Sequence, residues 1–135
     1  MLGYYVKLYL CTLVAFFAVD MLWLGLVARR FYSRYLGFLL SPDPKWSAAI
    51  LFYLLFVAGL LVFVVVPGLQ AGSLRKVALL GALFGLITYA TYDLTNLATV
   101  RDWPLLVTVV DLLWGMALAA VVSCLGFLAG RWLGG

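Results

Sequence analysis

Four long apolar stretches alternate with short polar ones along the chain. The apolar stretches cover residues 4–28, 48–66, 77–98 and 105–130. A helix needs roughly 20 apolar residues to cross a bilayer, so each stretch is long enough to span one. The pattern therefore predicts an all-α integral membrane protein, a four-helix bundle forming a single transmembrane domain over residues 1–135.

The segment between the first two spans mixes basic, aromatic and aliphatic residues. Residues 31–40 predict a short interfacial helix lying in the headgroup zone, with an aromatic-rich loop as the alternative. Asp43 and Pro44 are typical of a helix N-cap followed by proline at the first helical position. Pro67 predicts the end of the second span, because proline breaks the helical hydrogen-bond pattern.

Composition supports the membrane class and narrows the chemistry. The chain is 67% hydrophobic and 10% charged, whereas a soluble domain is about half apolar and a quarter charged. It has no His and no Glu, so five Asp residues are the only carboxylate side chains. Cys11 and Cys124 lie in apolar segments as small hydrophobes. No metal site and no cofactor are predicted.

The net charge of +4 fits basic flanks at an anionic lipid surface. No basic face with interleaved aromatic residues predicts nucleic-acid binding. The first loop carries Arg29, Arg30, Arg34 and Lys45, so the positive-inside rule favours a cytoplasmic loop and external termini. This preference is small, because the opposite side also carries four basic residues: Lys7, Arg75, Lys76 and Arg131.

Three aspartates lie inside the apolar spans at a similar depth. Asp20 precedes the end of the first span by eight residues, and Asp93 precedes the end of the third by five. Asp111 follows the start of the fourth span by six residues. At 1.5 Å per residue, all three lie roughly 8–12 Å below one surface. Because ionisable groups inside a membrane are costly and typical of functional sites, we expect one shared interior pocket.

Helical periodicity supports this convergence. On the third span, small and polar residues share one half, with Gly81 and Gly85 at a helix contact, whereas Leu83, Ile87 and Leu94 face lipid. The candidate ligand- or proton-binding residues are Asp20, Trp23, Tyr53, Tyr89, Tyr92, Asp93, Asn96, Asp111 and Trp114, with Asp93 as the central one. As an alternative, the aspartates only hold the bundle together, or are neutralised by snorkelling Arg29, Arg30 and Arg101.

Several motifs resemble one known family. They are Asp20-x-x-Trp23-x-Gly25, Phe31-Tyr32, Leu36-Gly37, Phe52-Tyr53, the run Tyr-Ala-Thr-Tyr-Asp-Leu-Thr-Asn-Leu-Ala-Thr over residues 89–99, Asp102-Trp103-Pro104 and Asp111-x-x-Trp114-Gly115. The chain resembles the small bacterial membrane proteins catalogued as domain-of-unknown-function 2177. The resemblance implies a four-span protein of the bacterial inner (plasma) membrane and implies no activity. The segment 19–23 also echoes the segment 110–114, in helices of opposite direction.

Three functions are left open by the sequence. The first is binding or transport of a small polar ligand, a proton or a cation; transport by four spans needs a dimer, for which Gly126 and Gly130 offer a face. The second is a membrane enzyme that uses Asp acid–base chemistry on a lipid or isoprenoid. The third is an accessory subunit of a larger membrane complex. The sequence names neither ligand, reaction nor protein partner; the one partner it predicts is the lipid bilayer.

Overall fold

The computed structural model describes residues 1–41 and 43–134, which form helices and no strand. Four helices within that part of the chain are long and apolar enough to cross a membrane. They are α1 (Leu2–Leu36), α2 (Trp46–Ala71), α3 (Leu74–Thr99) and α4 (Leu105–Gly134). The predicted all-α architecture with four spans is therefore confirmed.

The separate interfacial helix over residues 31–40 is not confirmed. Residues up to Leu36 continue α1 through a π-helical segment, Leu24–Ala28. The Asp43 cap is also wrong, because α2 begins at Trp46 with Lys45 as its N-cap and no side-chain cap bond. The chain between α1 and α2 therefore does not use Asp43 to start the second span.

Pro67 does not end α2, contrary to the sequence-based prediction. A second π-helical segment, Leu61–Val65, comes just before it, and the proline sits in the first turn of the α-helical segment that follows. A proline inside a helix removes one backbone hydrogen bond and crowds the preceding turn, and the π-helical segment lies in that turn. The helix instead ends at Gly72, whose φ of 65° is left-handed. Ser73 then caps α3 by accepting a hydrogen bond from the Lys76 backbone N–H at 3.1 Å.

The α3–α4 pair has the most extensive contact in the bundle, followed by α1 with α4. Glycines allow this approach: a Cβ on Gly85 would collide with the backbone of Gly115, and one on Gly81 would lie 3.0 Å from the Ala119 carbonyl oxygen. Leu83, Ile87 and Leu94 are half exposed on the outer side of α3. The predicted glycine contact is thus confirmed, and the three apolar side chains lie on the outer side of the bundle.

Only part of the polar half of α3 is buried in the bundle. Tyr92 is 57% exposed, and Thr95 and Thr99 are exposed. The hydroxyls of the two threonines donate to backbone carbonyls one turn earlier, for example from Thr99 to the Thr95 carbonyl oxygen at 2.8 Å. A threonine bonded in this way needs no partner from another helix, so the expectation that the whole polar half faces the bundle is wrong at these positions.

Gly126 and Gly130 are buried inside the bundle rather than on a free face. A Cβ on Gly126 would meet the Thr12 hydroxyl at 2.9 Å, and one on Gly130 would meet Leu69. The Tyr4 hydroxyl also donates to the Gly130 carbonyl oxygen at 2.9 Å. Both glycines therefore pack against helices of the same chain, and the predicted dimer face at Gly126 and Gly130 is wrong.

Candidate functional site

A cavity of about 510 Å³ opens between the helices near the Leu36 end of α1. It is the region where the three membrane aspartates meet. Two acids line it together with aromatic side chains, aliphatic side chains and one threonine. The lining residues are Asp20, Trp23, Leu24, Tyr32, Leu36, Leu40, Ala49, Phe52, Tyr53, Thr88, Tyr89, Tyr92, Asp111 and Trp114. All four helices contribute side chains to it.

The π segment of α1 sets which residues face this cavity. Tyr32 follows Asp20 by 12 residues, five of which lie in the π segment. A regular α-helix would place Tyr32 about 120° around the axis from Asp20. Because a π-helix turns only about 82° per residue, the observed helix brings that angle to about 30°. Both side chains therefore line one wall.

Asp111 connects the cavity to a second, deeper acid. The Tyr32 hydroxyl donates a hydrogen bond to Asp111 Oδ1. The Asp93 carboxyl lies close to the Asp111 carboxyl. Asp93 is fully buried, and within residues 1–41 and 43–134 neither of its carboxyl oxygens accepts a hydrogen bond from a side chain or a backbone N–H. The two carboxyl groups thus face each other, with Tyr32 on the cavity side.

Asp20 has a different environment within the same cavity. Its carboxyl lies near the Tyr53 hydroxyl and the Trp114 indole N–H. Trp114 stacks on Trp23, with ring centroids 4.4 Å apart and planes 11° from parallel. The repeated Asp-x-x-Trp motif of α1 and α4 therefore meets across the bundle through its two tryptophans.

Tyr89 lies between the two acid sites. Its ring packs on Gly115, where a Cβ would collide with it. Its hydroxyl is close enough to interact electrostatically with Asp20, Asp111 and Asp93. The glycine after Trp114 therefore makes room for an aromatic ring at the centre of the site.

Basic side chains do not neutralise these acids. The side chains that act on Asp20, Asp93 and Asp111 are tyrosine, tryptophan and aspartate. Arg29, Arg30 and Arg101 are exposed. The snorkelling alternative is therefore wrong for the described part of the chain.

Seven of the nine candidate residues line the cavity. Asp93 and Asn96 do not: Asp93 is sealed behind Asp111, and Asn96 lies beside Tyr92, with which it is within hydrogen-bonding reach. Within residues 1–41 and 43–134, no three His, Cys, Asp or Glu side chains are placed to hold a metal ion. The three acids thus form a pair and a single group rather than one cluster.

Tyr32 is the functional candidate that sequence reasoning missed. The sequence places it in the interfacial segment, because residues 31–40 mix basic, aromatic and aliphatic side chains. The Phe31-Tyr32 pair follows directly after two arginines, which drew attention to the membrane surface. The partly buried hydrogen bond from Tyr32 to Asp111 depends on the π segment, which the sequence pattern does not reveal.

Comparison with known proteins agrees with the motifs. A family model described as "Predicted membrane protein (DUF2177)" matches residues 5–128. No curated protein and no solved structure matches the chain. Because the family match covers most of the sequence, the chain belongs to this family of predicted membrane proteins.

Proposed function

We propose that the chain binds a small organic cation in this cavity and transports it in the bacterial inner membrane. The observation that carries the proposal is the charge of the wall. Asp20 and Asp111 line the cavity, and no Lys or Arg is among its described lining residues. An anion there would face two carboxyl groups with no counter-charge, whereas a cation would offset the cost of burying them.

The aromatic side chains support the same ligand class. Trp23, Trp114, Tyr53 and Tyr89 surround the acids. Aromatic faces attract cations by roughly 0.5–2 kcal/mol when water is excluded. The other side of the wall is apolar, with Leu24, Leu36, Leu40 and Phe52. The ligand that fits both halves is amphipathic, with an ammonium group at one end and an apolar body at the other.

Three probes of equal shape test the charge requirement. Phenethylammonium, phenethyl alcohol and phenylpropanoate share a phenyl group and carry a positive, a neutral and a negative end. Calorimetric titration of the full chain in nanodiscs, against empty nanodiscs, should detect binding of the ammonium alone. Equal binding of all three would contradict a cation site.

A matched pair of variants locates the binding. Asp20→Asn should weaken phenethylammonium binding by about tenfold or more, because the buried ammonium loses its counter-charge. Asp102→Asn makes the same chemical change at an exposed position, where the φ of 61° suits asparagine. This control should bind as the unmodified chain does. An equal loss in both variants would place the site elsewhere.

The other two functions predict different results. A membrane enzyme acting on a lipid or isoprenoid would turn its substrate over in purified form, using Asp20 or the Asp93–Asp111 pair as acid and base. An accessory subunit would be inert alone and would co-purify with a partner in mild detergent. A single transmembrane domain over residues 1–135 and the bacterial inner-membrane location stay predictions beside the proposed function.

A further inference from the structure

Asp93 is the group that the cation site does not use. Its side chain is fully buried, and both carboxyl oxygens lack a donor. The Thr108 hydroxyl donates to the Asp93 backbone carbonyl at 3.4 Å and accepts from the Trp103 indole N–H at 3.0 Å, so it is not directed to the carboxyl group. An ionised carboxylate with no donor is strongly unfavourable in such a place.

The partner that Asp93 does have is another carboxyl group. Asp111 lies close to it, and neither Asp93 oxygen has a hydrogen-bond partner within the described part of the chain. Two carboxylates at that distance repel each other, whereas one proton between them gives a donor and an acceptor. The titratable groups facing this pair and the adjoining Asp20 site come from α1, α2 and α3: Asp20, Tyr32, Tyr53, Tyr89 and Tyr92. None of them carries a positive charge that could replace the proton.

Position connects this pair to the cavity. Asp111 lines the cavity wall, and Asp93 lies behind it. A cation in the cavity would therefore contact Asp111 first. A cation beside Asp111 stabilises the ionised form of the pair relative to its protonated form. The two acids therefore hold their shared proton less strongly when a cation occupies the cavity.

We infer that Asp93 and Asp111 form a proton-exchange site whose proton is released to water when an organic cation occupies the cavity. In the exchange, the carboxyl O–H bond breaks, its electron pair stays on the carboxylate oxygen and the proton passes to a water molecule. One positive charge enters the site as one leaves, so the membrane interior gains no net charge. The release step rests on the proposed cation binding, whereas the resident proton does not.

Infrared spectroscopy tests the resident proton without any ligand. At neutral pH the full chain in nanodiscs should show the carbonyl band of a protonated carboxyl group, and the band should shift in heavy water. Asp93→Asn and Asp111→Asn should each remove it, and Asp102→Asn should keep it. Using both single variants guards against one failing to fold. Absence of the band in the unmodified, folded chain would overturn the inference.

Proton release tests the coupling. Phenethylammonium added to weakly buffered protein with a pH indicator should release about one proton per cation bound, and its affinity should rise about tenfold per pH unit while the pair stays protonated. Asp93→Asn should remove both the release and this pH dependence. Binding without release would overturn the coupling and leave the cation site standing. A carboxyl band without any binding would overturn the cation site and leave the proton pair standing.

Discussion

The two ends of the bundle use the same four helices in opposite ways. At the end near Gly130, glycines on α4 let α1 and α2 close on the helix, with Gly126 against Thr12 and Val65. At the other end, aromatic rings hold the helices apart around a cavity of about 510 Å³. Residue size along each helix therefore decides where the bundle is closed and where it opens.

The largest expected effect comes from disrupting the contact between α3 and α4. Gly85→Leu should lower the free energy of unfolding by about 3 kcal/mol or more, because the new side chain meets Gly115 backbone that cannot rotate away. Thermal unfolding in mild detergent measures this. Leu83→Ala, on the lipid-facing side of the same helix, is the control and should change stability far less. The reverse order would mean that α3 is rotated relative to its partners.

The next effect concerns the open end and comes from the π segment of α1. Inserting one alanine after Gly25 adds a step of about 100°, so Tyr32 leaves the face of Asp20 and phenethylammonium affinity should fall about tenfold or more. Deleting Gly25 leaves 11 α-helical steps between the two residues, which returns Tyr32 to about 20° from Asp20. The deletion should therefore keep binding.

Gly25 suits this pair of variants because a Cβ there would meet no atom within 4 Å. Calorimetric titration of both variants in nanodiscs provides the comparison. Loss of binding in the deletion variant, with normal binding in the insertion variant, would contradict the role given to the π segment.

The smallest effect concerns the tryptophan stack. Trp114→Phe keeps an aromatic ring but removes the indole N–H near Asp20, so phenethylammonium affinity should fall about two- to fivefold. Trp132→Phe, at a residue 80% exposed, should leave affinity unchanged. A fall with Trp132→Phe as large as that with Trp114→Phe would indicate a general effect on the bundle rather than on the cavity wall.

The α3–α4 contact could be predicted well from the sequence, because it follows from regular periodicity, whereas the packing role of Gly126 and Gly130 could not. The Gly81 and Gly85 contact and the lipid-facing Leu83 need only a step of 100° per residue, and α3 is regular throughout. The position of Asp111 on the buried side of α4 follows in the same way.

The open end could be predicted only in part. The distance of Asp20, Asp93 and Asp111 from the ends of their spans predicts that they lie at one depth. It does not predict which acid lines the cavity and which is buried behind another. Tyr32 was missed because the π segment changes the angle between it and Asp20. The continuation of α2 past Pro67 was missed for a related reason, since the segment Leu61–Val65 departs from regular helical geometry just before the proline.

The tight α3–α4 contact has a consequence for how the chain enters the bilayer. These helices are consecutive, joined by a short turn and the most extensively packed pair. By apolar character α3 is the weakest of the four spans, so it gains most from entering together with α4 as a helical hairpin. Asp93 and Asp111 lie on the two arms of that hairpin, so each acid meets its partner while the hairpin forms. The translocation machinery then handles one compact unit in place of two separately charged segments.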